Sequence, residues 1–169
     1  MGKAQKLIFA IDPGNTESGF AFFEMPDLAL IEFGKVKNEI LLENINFFTH
    51  QASGFAIEMV ASYGMPVGKD VFETCVWIGR FVQASKKEAH FVYRKDEKLC
   101  LCGSPKAKDA NIRQALIDRY ATFDFKNGKG TKKNPDTFYG VSKDVWQAIA
   151  VGVTHYEKER DLNGEANTE

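Results

Sequence analysis

Apolar and polar positions change period several times along the chain, and each change marks an element. Leu7-Ile8-Phe9-Ala10-Ile11 is an unbroken apolar run, as in a strand covered on both faces, and it ends on one carboxylate at a turn, Asp12-Pro13-Gly14. Gly19 is read as the point where the chain returns into a second run, 20–23, and 29–36 reads as a third strand antiparallel to the second. Ile40, Leu41, Ile45 and Phe48 have helical spacing, with Asn38 as N-cap. Residues 55–59 form a short apolar run that carries a second acid, Glu58, and 62–69 is a loop with two glycines and a proline. A helix over about 70–84 has Val71, Cys75, Ile78 and Val82 on one face, and 90–93 is a fifth strand. Residues 94–98 read as solvated charge, and the alternation Leu99-Cys100-Leu101-Cys102 as strand-like packing. A helix from Asp109 ends near Tyr120, 125–140 holds a mobile basic loop, and 142 to about 159 is a helix apolar nearly all round.

Three strands as a meander, followed by alternating helix and strand, predict an α/β fold: a mixed five-stranded sheet with helices on both faces. That is the element order of the ribonuclease H-like fold. With no repeat and no linker in view, residues 1–159 read as a single domain and 160–169 as a polar, disordered tail.

Composition narrows the class. A chain of 169 residues and 19.0 kDa has the size of one cored domain, and 44% apolar with 27% charged residues excludes disorder for its body. No apolar run approaches the roughly 20 residues that span a bilayer, so no membrane partner is expected. The first six residues lead straight into a strand rather than into a signal-peptide core, and Gly2 lacks the hydroxyl residue that myristoylation requires, so a cytoplasmic location is expected. Three cysteines argue against a disulfide framework, and the Cys100–Cys102 pair has no second pair or nearby His to complete a zinc site. The net charge of −1 conceals an uneven distribution: acids crowd 24–43 and the tail, whereas bases gather at 86–87, 94–95, 106–119 and 126–133.

The chemistry lies in the acids. Asp12 and Glu58 sit at the ends of the first and fourth predicted strands, which in a parallel pair open on the same edge. Asp144 falls in the first turn of the last helix, where an acid also suits the helix N-terminus. Singly, Asp12 can be a turn residue bonding its own backbone, and Asp144 a helix-start acid. Together, three carboxylates without thiolates or a His cluster suit Mg²⁺ or Mn²⁺.

Ala10-Ile11-Asp12-Pro13-Gly14, Ala56-Ile57-Glu58 and the run from Asp144 to His155 resemble the RuvC family of Holliday-junction resolvases, in its bacteriophage branch. Residues 103–116 resemble the segment before that family's third helix, and the likeness in element order spans about 7–157. The resemblance implies a homodimer that nicks opposing strands of a four-way DNA junction, with two Mg²⁺ or Mn²⁺ ions per active site. It carries the catalytic and metal-binding roles to Asp12, Glu58 and Asp144. The family pattern often has a fourth acid one turn beyond the third; here that position is Gln147, a weaker, neutral ligand. Lys108 matches a basic position of the family segment and Met65-Pro66-Val67 the place of an apolar wedge at the junction centre. Lys106, Arg113, Lys126, Lys129, Lys132 and Lys133 complete a candidate DNA-binding set, with a solvated loop as the plainer reading of the last four.

Three other functions share parts of this pattern. A ribonuclease H-like nuclease for flaps or replication forks would carry the same acids. A non-cutting junction-binding protein would be consistent with Gln147. The actin-like ATPases and sugar kinases resemble the chain around Asp12-Pro13-Gly14-Asn15-Thr16, but they need a second lobe that a chain of this length has no room for.

Overall fold

The computed structural model describes residues 4–165. Its strands are β1 (Lys6–Asp12), β2 (Glu17–Met25), β3 (Ala29–Lys37), β4 (Gly54–Met59) and β5 (Ala89–Tyr93). The helices are α1 (Asn38–Gln51), α2 (Lys69–Ala84), α3 (Arg94–Cys102), α4 (Asp109–Tyr120) and α5 (Lys143–Glu165). The sheet order is β3-β2-β1-β4-β5, with β1, β2 and β3 antiparallel and β4 and β5 parallel to β1. Among the described residues no helix is long and apolar enough to cross a membrane.

Alternation along the strands divides the core between two faces. Phe9, Ile11, Phe20, Phe22, Phe55 and Ile57 face α1 and α2, where Phe48 stacks on Phe9 at 4.8 Å between ring centroids. Truncating Phe9, which is fully buried there, to Ala would cost about 3–5 kcal/mol. On the other face Ile8, Ala21 and Phe23 meet α4 and α5, while Ala10 and Ala56 lie under Val151 of α5. The small residues matter here because they let α5 lie close to the sheet. A Cβ on Gly152 would stand 2.6 Å from Phe23 and 3.0 Å from Ala10, and one on Gly19 would stand 2.6 Å from the Asp144 carbonyl oxygen. Gly19 therefore lies inside β2 as a seat for the first turn of α5, rather than at the start of a returning strand.

Five local expectations are corrected. Asn38 is buried within α1 instead of capping it, and bonds sideways: its Nδ2 donates to the Gly14 carbonyl and Ser18 Oγ donates to its Oδ1. Residues 94–102 are helix α3 rather than a solvated stretch and a strand, because Leu101 and Glu97, one turn apart, share a buried face. The segment 125–140 is a constructed loop. Asp124 accepts from the backbone N–H of Asn127, Lys129 and Gly130, and Asp136 from those of Thr122, Phe123, Asp124 and Thr137. Residues 160–165 continue α5, with Arg160 paired to Glu157 one turn back, instead of starting a tail; 166–169 lie outside the described residues. The turn after β1 is held by Ser18, whose Oγ accepts from the Gly14 N–H, so Asp12 is not the residue that closes it.

Candidate active site

Asp12 and Glu58 come together because their strands are neighbours in register. Ile11 pairs with Ile57, and the next residue of each strand carries its carboxylate on the α5 side, continuing the rows Ile8, Ala10 and Gly54, Ala56. Asp144 and Gln147, one turn apart in α5, descend onto the same edge. The cleft they enclose, about 260 Å³, is lined by Asp12, Glu58, Asp144 and Gln147 together with Arg94, Asp109, Arg113 and Lys143.

A further carboxylate stands behind this cleft. Glu97 of α3 is fully buried, with 0% of its surface exposed. The Gln147 amide nitrogen donates to both Glu97 Oε1, at 2.5 Å, and Glu58 Oε2, at 2.7 Å. Glu97 Oε2 has no hydrogen-bond partner among the described residues, and Arg94 lies 3.9 Å from Oε1 while also pairing with Asp109. A buried carboxylate so incompletely paired is costly unless something else compensates it.

Electrostatics describes a site in need of positive charge. The Asp12 carboxyl is pushed up to about 8 by burial and then by the charges of Glu58 and Asp144, against the pull of Arg94 and Lys35. Burial raises Glu58, and burial with the neighbouring Glu58 raises Glu97. Asp144 turns outward to Lys35 of β3, 3.1 Å away. The Asp12, Glu58 and Asp144 carboxylates thus surround the cleft without all closing to within 4.8 Å of one another. An all-oxygen donor set around a polar cleft, with one buried carboxylate oxygen unpartnered, fits a hard divalent cation.

The structure sorts the candidate basic residues. Arg113 lines the cleft and also a neighbouring groove that contains Lys126 and Lys129, so these three form a continuous basic margin. Lys106, Lys108, Lys132 and Lys133 line neither. Met65 and Val67 lie in the loop between β4 and α2 and are exposed, Met65 by 74%, with Tyr63 exposed beside them. On α2, Ile78 and Phe81 belong to the core, whereas Phe72 and Val76 are 60% and 63% exposed. The charged site residues missed from the sequence are Glu97, Lys35, Arg94, Asp109 and Lys143. For Glu97 a signal existed, since a helical reading of 94–102 puts it on the face of Leu101.

A mixed sheet in this order, with acids at the carboxyl ends of two adjacent parallel strands and on the covering helix, defines a ribonuclease H-like α/β domain with an acidic cleft. Within that class the chain has the fold of RuvC. It superposes on a Thermus thermophilus RuvC structure with a TM-score of 0.64 at 16% sequence identity, covering 91% of this chain and 95% of that one. It also superposes on T. thermophilus RuvC in complex with Holliday junction substrate, with a TM-score of 0.65 at 14% identity, covering 92% and 95%. No family model and no curated protein sequence matches the chain.

Proposed function

We propose that this protein is a divalent-metal-dependent endonuclease that resolves four-way DNA junctions by paired nicks, acting as a homodimer. The observation that carries the reading is the acidic cleft itself, set at the edge of a RuvC-type sheet. Asp12, Glu58 and Asp144 are the residues that would hold Mg²⁺ or Mn²⁺, two ions per site. Bound there, the ions supply an activated water and neutralise charge on the leaving 3′ oxygen during in-line phosphodiester hydrolysis.

The chain's own groups prepare this chemistry. Gln147 stands where the resembled family has an acid, and its NH₂ is committed to Glu58 and Glu97. Its Oε1, on the opposite side of the amide, is the atom left to offer as a neutral donor. Burial and the neighbouring Glu58 push the Glu97 carboxyl up to about 9, so it would carry a negative charge near pH 7 only where a bound cation compensates it; it acts through Gln147 and Glu58 as a positioning residue. Lys35 of β3 pairs with Asp144. Arg113, Lys126 and Lys129 would track the DNA backbone away from the cleft. Exposed Met65 and Val67, with Pro66, suit an apolar wedge at the junction centre. Phe72, Cys75, Val76 and Gly79 form an exposed stripe at helical spacing on α2, the shape of a self-complementary two-fold contact. A resolvase of the phage branch would work in the cytoplasm of a bacterial host.

Incubation with a synthetic four-way junction and Mg²⁺ or Mn²⁺ is the direct test. The wild-type chain should introduce paired nicks, while Asp12→Asn and Glu58→Gln should abolish cutting and retain or improve junction binding, since only negative charge is removed. Binding without cutting by wild type would identify a junction-binding protein, and faster cutting of flaps or forks would identify a nuclease for those substrates. Either outcome would overturn the proposal.

A further inference from the structure

The stripe of α5 that brings Gln147 to the acidic cleft continues through Val151 to His155 and Glu159, at the opposite edge of the sheet. His155 is about 12 Å further along the helix than Gln147, at 1.5 Å per residue. There the imidazoles of His155 and His90, the latter on β5, stack with centroids 4.6 Å apart. One ligand atom each from His90, His155 and Glu159 lies within 4.8 Å of the other two.

His155 is the residue without an ordinary explanation. It is only 4% exposed, yet its Nε2 has no hydrogen-bond partner among the described residues; Glu159 Oε1 stands 3.6 Å away, beyond hydrogen-bond reach. A buried imidazole nitrogen facing a carboxylate without a hydrogen bond or a cation between them is unfavourable. The imidazole packs so close to β4 that only glycine fits at position 54, where a Cβ would stand 2.8 Å from Nε2. Burial lowers the His155 pKa, with the Glu159 charge opposing it, which favours the neutral form whose lone pair can bind a metal.

We propose that His90, His155 and Glu159 form a second cation site, for Zn²⁺ or a similar transition metal, separate from the acidic cleft. Two imidazoles and one carboxylate are borderline donors that favour Zn²⁺, Co²⁺ or Ni²⁺ over Mg²⁺. A tetrahedral ion with donors at about 2.0–2.1 Å spaces them by roughly 3.4 Å, so the His155–Glu159 separation of 3.6 Å is already close to it and the separations from His90, within 4.8 Å, need shorten by at most about 1.4 Å. Exposed His90 and half-exposed Glu159 have the freedom to do so, and the open side of His90 admits the ion and a fourth, water ligand. Glu159 presents Oε1 to His155 and Oε2 to Lys6, 3.6 Å away, so the lysine need not leave. The site would tie β5 to the second half of α5 and so stabilise the folded chain rather than take part in strand cutting.

Chelator-stripped full-length protein, titrated with Co²⁺ and with Zn²⁺ against a chromophoric chelator, tests this. Wild type and the cleft variant Asp12→Asn should both show tetrahedral Co²⁺ bands and retain one tight Zn²⁺. His90→Ala and Glu159→Gln, changed at accessible side chains, should lose about tenfold or more in Zn²⁺ affinity, the least that even an outer partner of a ligand costs. Zn²⁺ should raise the melting temperature of wild type but not of His90→Ala. Equal Zn²⁺ affinity in wild type and His90→Ala, or loss of the tight ion in Asp12→Asn, would overturn the proposal.

Discussion

Gln147 of α5 donates its amide N–H to Glu97, fifty residues earlier on α3, and so joins the covering helix to a carboxylate with no exposed surface. With the second bond to Glu58, this fixes which side of the amide is nitrogen, because an oxygen would face two acids. The neutral residue at position 147 and the buried acid at position 97 are therefore one arrangement.

Exchange of the two groups tests that coupling. Glu97→Ala should leave Gln147 half-tethered and lower junction cutting by about tenfold or more, with Mg²⁺ affinity measured by calorimetry falling alongside. Gln147→Glu alone should impair the protein through repulsion with Glu58 and Glu97. The double variant Glu97→Gln/Gln147→Glu, which keeps the number of charges, should recover part of both activity and affinity. A double variant no better than the worse single one would show that the pair is not coupled.

The stripe on α2 makes a prediction about assembly. If the proposed dimer forms through this stripe, wild type should sediment as a dimer at micromolar concentration and Phe72→Glu with Val76→Glu as a monomer, with little change in the fold because both side chains are exposed. A variant that still sediments as a dimer places the interface elsewhere.

Salt dependence separates the basic margin from the wedge. Lys126→Ala with Lys129→Ala should weaken junction and duplex binding together and flatten the slope of log affinity against log salt by about two, at about 0.9 per phosphate contact. Replacing Met65-Pro66-Val67 by Gly-Ser-Gly should reduce junction preference and leave the slope unchanged, since an apolar wedge releases no counterions. An unchanged slope in the lysine variant would put the DNA path on another face.

Asp136 gives the loop that carries those lysines a pH signature. Burial alone would raise its pKa, but the Thr122 hydroxyl and the backbone N–H groups of Asp124, Phe123 and Thr122 outweigh it and hold the carboxyl well below the usual range. A folded pKa below the unfolded value means stability that is present above about pH 4 and lost as pH falls below it. Urea denaturation of wild type and Asp136→Asn should differ by a constant amount above about pH 5, with the difference narrowing steadily below about pH 4 and vanishing only in strong acid, as pH falls through the folded pKa. A difference that does not narrow below about pH 4 would show that charge is not what Asp136 contributes.

How much could be read from the chain alone differs from element to element. Asp12 and Glu58 were legible because each ends or interrupts a short apolar run, and strand pairing needs only that pattern to bring them to one edge. The sheet with helices on both faces followed from the same periodicity, whereas on α2 the face read as Val71, Cys75, Ile78 and Val82 is only partly the core one, since Cys75 is exposed and Phe81 is buried beside Ile78. Glu97 was legible only as a position sharing a helical face with Leu101, and nothing in its charged neighbourhood of 94–98 says that it is buried. Which of five polar residues turns inward depends on α5 lying across α3, and the bonds that compensate its burial come from Gln147, fifty positions away. The same holds for Lys35 beside Asp144, for the loop built on Asp124 and Asp136, and for His90 beside His155. Apolar periodicity is a local property and specifies which faces are buried. The pairing of buried polar groups is a property of the packed chain, because each group's free energy is set by partners that only the tertiary structure brings within bonding distance.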